Sequence, residues 1–287
     1  MRIQKRILNK LGFALRSDEN DHFPHVYSPF GIPGDKFSTT NDKIKIIIDP
    51  TPKYFKFQMK SDVKKYEKTL LIHGCEPPEM NDIKNELMQY GGKFTKVYSF
   101  DKDVLNKVKG SELFSFGSCW VVASKKDYVD NFNTNKKFKL SFIKSSKRDL
   151  PGHQLRYEIG SLFDKKYNFE VLYPKQRIEG KDILFNDSMF HITIENTQHD
   201  NYFTEKLIDC FMSYTIPIYW GCSNVSDYFD PKGIILFNSK KELETILNNL
   251  TPEDYASRVE AVKKNYEIAK EKYAFFFERV DELILKL

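Results

Sequence analysis

Glu195 to Lys206 reads Glu-Asn-Thr-Gln-His-Asp-Asn-Tyr-Phe-Thr-Glu-Lys, a polar stretch that follows the apolar run Phe190 to Ile194. An amphipathic pattern starts near Thr204, so the order is strand, polar loop, helix start. Where a parallel strand ends and a helix begins, unpaired backbone N–H groups and the helix dipole both favour an anion, typically a phosphate. Lys206 in the first turn would add a full positive charge. The same residues also read as an ordinary helix start, with Thr204 as cap, Glu205 complementing the dipole and Lys206 solvated. Spacing alone leaves both readings open.

The elements that must position this segment follow an alternating pattern. Lys43 to Asp49 reads as a buried strand ended by Pro50, and Lys68 to His73 as a second, followed by a Gly-Cys-Glu-Pro-Pro turn. Helical spacing from Asn81 to Tyr90 stops at Gly91-Gly92, and Phe94 to Phe100 reads as a third strand. The pattern restarts with a strand from Phe138 to Ile143, a helix carrying Arg156 and the strand Phe190 to Ile194, then strands Ile216 to Trp220 and Ile234 to Phe237. Such alternation predicts parallel sheets. Residues 18–42, rich in Pro and Gly, read as an irregular loop. From Tyr255 to Leu287 apolar residues recur at steps of three and four, which predicts one long amphipathic helix or two in line.

A chain of 287 residues accommodates two domains. We place an N-terminal domain at 1–130, a second at 131–265 and a helix packing back on the body at 266–287, with the polar run Asp130 to Lys137 as the junction. Ligands favour clefts between domains. The net charge of +5 is too mild to argue for nucleic acid. Residues 1–17 hold five basic residues and no acid, which gives either a terminal helix or a peripheral contact with an anionic membrane. No segment is apolar enough to span a bilayer, so the expectation is a cytoplasmic protein. Cys75, Cys119, Cys210 and Cys222 are widely spaced and expected to be reduced. Asp101-Lys102-Asp103 has the form of a metal-holding Asp-x-Asp but is expected to open a surface helix. His22-Phe23-Pro24-His25 has no further ligands at zinc spacing.

The run from Glu195 to Gly221, ENTQHDNYFTEKLIDCFMSYTIPIYWG, resembles the signature of the α-1,3-fucosyltransferases of glycosyltransferase family 10. That signature is Glu-Asn-Ser/Thr, a spacer, Tyr-x-Thr-Glu-Lys, an amphipathic helix and an apolar strand reading Pro-Ile/Val-x-x-Gly. The resemblance spans roughly Phe138 to Phe237. It implies an α/β protein of the GT-B class: two Rossmann-like domains with parallel sheets facing across a cleft, the donor held in the C-terminal one, plus a long C-terminal helix. It implies an inverting transfer of a sugar, most simply L-fucose from GDP-fucose, to a saccharide hydroxyl without a metal or other cofactor.

By the same resemblance Glu205 would hold the ribose hydroxyls and Lys206 the diphosphate. Tyr202 and Thr204 would line the donor pocket, and Glu195 and Asn196 would shape it and touch the sugar. Arg156, on a helix after the strand and a loop containing Ser145, takes the place of a diphosphate-binding arginine, and a guanidinium suits bidentate phosphate contacts. The general base would be Glu76, in Gly74-Cys75-Glu76-Pro77-Pro78, with Glu79 and His73 as the other candidates. The segments Ser145-Ser146-Lys147-Arg148 and Asn168-Phe169-Glu170 depart from the family pattern where base and sugar are contacted. A transferase using a UDP-sugar, such as an exostosin-like xylosyltransferase, would share this core, as would a non-catalytic nucleotide- or saccharide-binding module.

Overall fold

A computed structural model of the chain describes residues 24–29, 32, 36–57, 63–74, 77, 79, 83–121, 135–174 and 181–287. Residues 1–17, Cys75 and Glu76 lie outside these. Contacts between Cα atoms divide the chain into Met1–Phe116 with Phe277–Leu287, and Gly117–Phe276.

The first unit is a five-stranded parallel sheet in sequence order: β1 (His25–Tyr27), β2 (Ile44–Ile48), β3 (Lys68–His73), β4 (Lys96–Ser99) and β5 (Glu112–Leu113). Ile46-Ile47-Ile48 of β2 and Leu70-Leu71-Ile72 of β3 are buried on consecutive positions, as strands covered on both faces must be. β1 corrects the expectation of an irregular loop over 18–42. The three residues His25–Tyr27 are too few for a periodic signal, and the parallel partner Lys45–Ile47 supplies the ladder that makes them a strand. His73 ends β3 buried, its Nδ1 2.9 Å from Ser99 Oγ and its ring stacked on Phe100, whereas Glu79 is exposed. Asp101 caps the helix Lys102–Lys107 by accepting from the N–H groups of Asp103 and Val104, while Lys84 pairs with both Asp101 and Asp103.

The second unit is also a five-stranded parallel sheet, of β6 (Lys137–Phe142), β7 (Glu170–Leu172), β8 (Ser188–Ile194), β9 (Ile216–Trp220) and β10 (Ile235–Leu236), in the order β10-β9-β8-β6-β7. From β6 the chain goes out to β7 on one side and then returns to β8 on the other. The connections reverse between β6 and β8, and the crevice beyond the carboxyl ends of such a pair is where open α/β sheets bind ligands. Phe142, Ile192, Ile194, Leu207, Phe211, Ile218 and Val262 belong to one buried cluster that fixes sheet and helices together.

The unit boundary falls at Gly117, not within Asp130 to Lys137. The Gly117 N–H donates to Phe203 O at 3.2 Å and that of Cys119 to Ala274 O at 3.0 Å, so the chain is already tied to the second unit there. The polar run instead leads into β6 through Lys136, a buried lysine whose ammonium donates to the Phe185 and Asn186 carbonyls. At the other end, 277–287 belong to the first unit. Asp281 accepts from Ser38 N and Oγ, both at 2.8 Å, and Arg279 donates to the Ser115 and Phe116 carbonyls. Of the two readings of the C-terminal apolar run, the structure has two helices, Val259–Lys272 and Phe276–Ile284, in place of the single long helix that the resemblance implies. The break comes where Tyr273 N and Ala274 N both turn back to Ala269 O, at 2.9 and 2.8 Å, and end the helix.

Candidate functional site

Both loops beside the reversal carry the residues singled out by the sequence. The loop after β8 returns at Thr204, which caps the helix Glu205–Met212 with its hydroxyl accepting from Lys206 N. Glu195, fully buried at the end of β8, closes the loop: Oε1 accepts from Thr204 N at 2.9 Å and Oε2 from Thr204 Oγ1 at 2.7 Å. The loop after β6 leads to the helix Pro151–Glu158, which carries Arg156 on its last turn. That helix lies directly on the end of β8. The Gly152 N–H donates to Asn196 O at 2.9 Å, and a Cβ at Gly152 would stand 1.8 Å from Glu195 O. The missing side chain is what permits this approach. Arg156 can then donate to Asn196 Oδ1 at 2.6 Å and to Gly152 O at 3.2 Å.

Lys206 Nζ lies 3.0 Å from Thr204 Oγ1, 3.3 Å from Glu205 Oε1 and 3.5 Å from Glu195 Oε2. Burial works against its charge, but Glu205 and Glu195 outweigh burial and raise its pKa. Burial likewise opposes the charge of Glu205, yet Lys206, Lys181 and hydrogen bonds from Thr204 and Lys206 hold that carboxyl below its usual value. Burial lowers the Arg156 pKa, countered by Glu195, Glu205 and Tyr202, without threatening a charge that normally persists past pH 12. The site therefore brings the cations Arg156 and Lys206 and the ionised Glu205 together at a helix N-terminus. Such a set can take a diphosphate on the cations and hydroxyl groups on the carboxylate.

Arg156, Glu205 and Lys206 line one cavity of about 170 Å³ together with Ile143, Thr193, His191 and Phe185. Three more of its residues escaped the sequence reading. Lys181 Nζ lies 3.1 Å from Asp209 Oδ2 and 4.3 Å from the ring centre of Trp120, and all three line the cavity. Asp209 carried a usable signal, since a lone acid inside Leu207-Ile208-Asp209-Cys210-Phe211 must be paired if that run is buried. Lys181 gave none, and Trp120, which reads from the sequence as core rather than a sugar platform, is instead exposed at the cavity.

The remaining candidates sit elsewhere. Tyr202 is buried in the loop before the cap, its ring edge-on to His199 at 6.5 Å. Ser145 is turned into its own loop, accepting from Lys147 N at 3.1 Å, and does not line the cavity. Glu195 and Asn196 support Thr204 and Arg156 from behind.

Two parallel-sheet α/β units, the second with a ligand-suited crevice, are an architecture also found in glycosyltransferases of the GT-B class. A crystal structure of an α1,3-fucosyltransferase with GDP-fucose shares the fold, with a TM-score of 0.51 and 17% identity over 85% of this chain and 76% of that one.

Residues 162–276 match the model of the C-terminal region of glycosyltransferase family 10 (fucosyltransferase). An α-(1,3)-fucosyltransferase, FucT, of Helicobacter pylori is 35% identical over 71 residues, 25% of this chain. An α-(1,4)-fucosyltransferase of Arabidopsis thaliana is 41% identical over 64 residues, 21% of this chain. The matches span 15% and 16% of the two relatives' own lengths. No helix among the described residues is long and apolar enough to cross a membrane.

Proposed function

We propose that this protein is a fucosyltransferase-like enzyme that moves L-fucose from GDP-fucose to a hydroxyl of a saccharide, with inversion and without a metal ion. The observation that carries the proposal is the convergence of Arg156, Glu205 and Lys206 on one cavity at the start of a helix beyond the β6–β8 reversal. The donor's diphosphate would take Lys206 away from Thr204, Glu205 and Glu195 and bring its oxygens to Arg156. Glu205 would accept the ribose hydroxyls. As the acceptor oxygen attacks the anomeric carbon from the face opposite the diphosphate, the two cations and the helix N–H groups stabilise the charge on the leaving group. Glu76, outside the described residues, would take the acceptor proton. The α1,3-fucosyltransferase of similar fold is described with GDP-fucose, which favours that donor over a UDP-sugar. Any contact of residues 1–17 with a membrane surface is a further part of the proposal.

Thermal unfolding of the chain with GDP, UDP, ADP and their sugar conjugates tests the donor, because a ligand specific for the folded state raises its apparent stability. Guanine compounds should raise Tm and the others should not. A shift with UDP alone would move the proposal to a UDP-sugar, and no shift with any nucleotide would overturn it. Transfer to saccharide acceptors in the presence of a chelator, followed by assignment of the product anomer, tests metal independence and inversion.

A further inference from the structure

Two ammonium groups hold one oxygen of Glu205. Lys206 Nζ lies 3.3 Å from Glu205 Oε1, and Lys181 Nζ lies 3.7 Å from the same atom. What else holds each lysine differs. The other partners of Lys206, Thr204 and Glu195, are at the loop end of the helix, where an anion would arrive. Lys181 is anchored one turn further in, 3.1 Å from Asp209 Oδ2 and over the Trp120 ring. Asp209 Oδ1 in turn accepts from Trp120 N at 2.6 Å and Val121 N at 3.2 Å, so the carboxylate is itself locked. Glu205 and Asp209 are four residues apart on one helix, on the same face, which lets a single ammonium bridge them.

We propose that Lys181 is a positioning residue that keeps Glu205 ionised and in place while a nucleoside diphosphate occupies Lys206, a role that rests on the donor reading above. A buried carboxylate that loses its only cation takes up a proton rather than remain charged. Protonated, Glu205 would cease to be a two-site acceptor for vicinal hydroxyls. Around Glu205 stand Thr204, Lys206 and Asp209 on its own cap and helix, Glu195 after β8 and Arg156 on Pro151–Glu158, with His191 of β8 lining the same cavity. Glu195 and Asp209 oppose its ionisation. With Lys206 turned to phosphate, Lys181 is, among the described residues, the cation in contact with it, Arg156 acting from further away.

The substitution Lys206→Met imitates withdrawal of that lysine without any nucleotide, and 13C NMR titration of the Glu205 side-chain carboxyl in the full chain reads the consequence. Removing Lys181 alone would strand Asp209, so Lys181→Met is paired with Asp209→Asn, a change that by itself lowers the Glu205 midpoint. In the Lys206→Met background the added pair should raise the midpoint by one pH unit or more, and Lys181→Arg should leave it low. Equal midpoints would overturn the proposal. With Lys206 intact, GDP affinity of the Lys181→Met/Asp209→Asn variant should fall at least threefold more than that of the parent between pH 8 and 5.5, and superimposable profiles would also count against it. Absence of GDP binding in the parent would sink the donor reading alone, because the titration still decides the role of Lys181.

Discussion

The Glu195 carboxylate grips Thr204 with both oxygens, one on its N–H at 2.9 Å and the other on its hydroxyl at 2.7 Å. A strand end and a helix cap are thereby joined by one fully buried side chain. Glu195→Gln replaces an acceptor-only group with one that must present an NH2 to Thr204 or Lys206. Urea denaturation should show a loss of about 1–3 kcal/mol, the cost of an unsatisfied buried polar contact. Thr204→Ala should cost about 1 kcal/mol through the cap, and the double variant should lose less than the sum, because both changes break the same contact.

Gly152→Ala tests the seating of the arginine helix. Its Cβ would lie 1.8 Å from Glu195 O, a backbone atom that cannot yield as a flexible side chain could. The helix must shift, and Arg156 with it. We expect destabilisation of about 1–3 kcal/mol, the usual cost of overpacking, and weaker GDP binding by calorimetry.

Arg156→Ala and Lys206→Ala should each lower kcat by roughly 10²–10³, or about 3–4 kcal/mol of transition-state stabilisation, the size of losing one preorganised oxyanion donor. Steady-state kinetics on GDP-fucose checks this, and near-normal turnover in either variant would remove that residue from the mechanism.

His191 gives a pH dependence. Burial, with Lys181 nearby, pushes its pKa down to about 3, and its Nδ1 stays 2.8 Å from Ser141 Oγ. An unfolded histidine titrates near ~6.5, so between that pH and about 3 the unfolded chain binds the proton and the native one does not. Stability contributed by the neutral ring is complete above the unfolded value and lost as pH falls through this window, at up to ~1.4 kcal/mol per pH unit. His191→Gln should flatten the difference in unfolding free energy between pH 7 and 5, measured by urea titration against the parent.

Local chemistry made much of the fold legible. The buried runs that became β2, β3, β6, β8 and β9, the helix starting after Thr204 and the alternation that demands parallel sheets are properties of consecutive residues. The motif from Glu195 to Lys206 was legible for the same reason. The strand His25–Tyr27 and the boundary at Gly117 were not. Each depends on hydrogen bonds to residues distant in sequence, to Lys45–Ile47 in β2 for the strand and to Phe203 and Ala274 for the segment after Gly117.

The site divides in the same way. Sequence alone determined which residue types stand at the helix start: a capping threonine, an acid and a lysine in fixed succession. Only the tertiary structure decided that Glu195 faces Thr204, that Gly152 lets Arg156 reach Asn196, and that Lys181 and Asp209 complete the cavity. The physical reason is that a cap is a contact across two or three residues, whereas a buried charge needs its partner wherever the fold brings one. Lys181 is 24 residues before Glu205 and meets it because β8 leads the chain from one to the other.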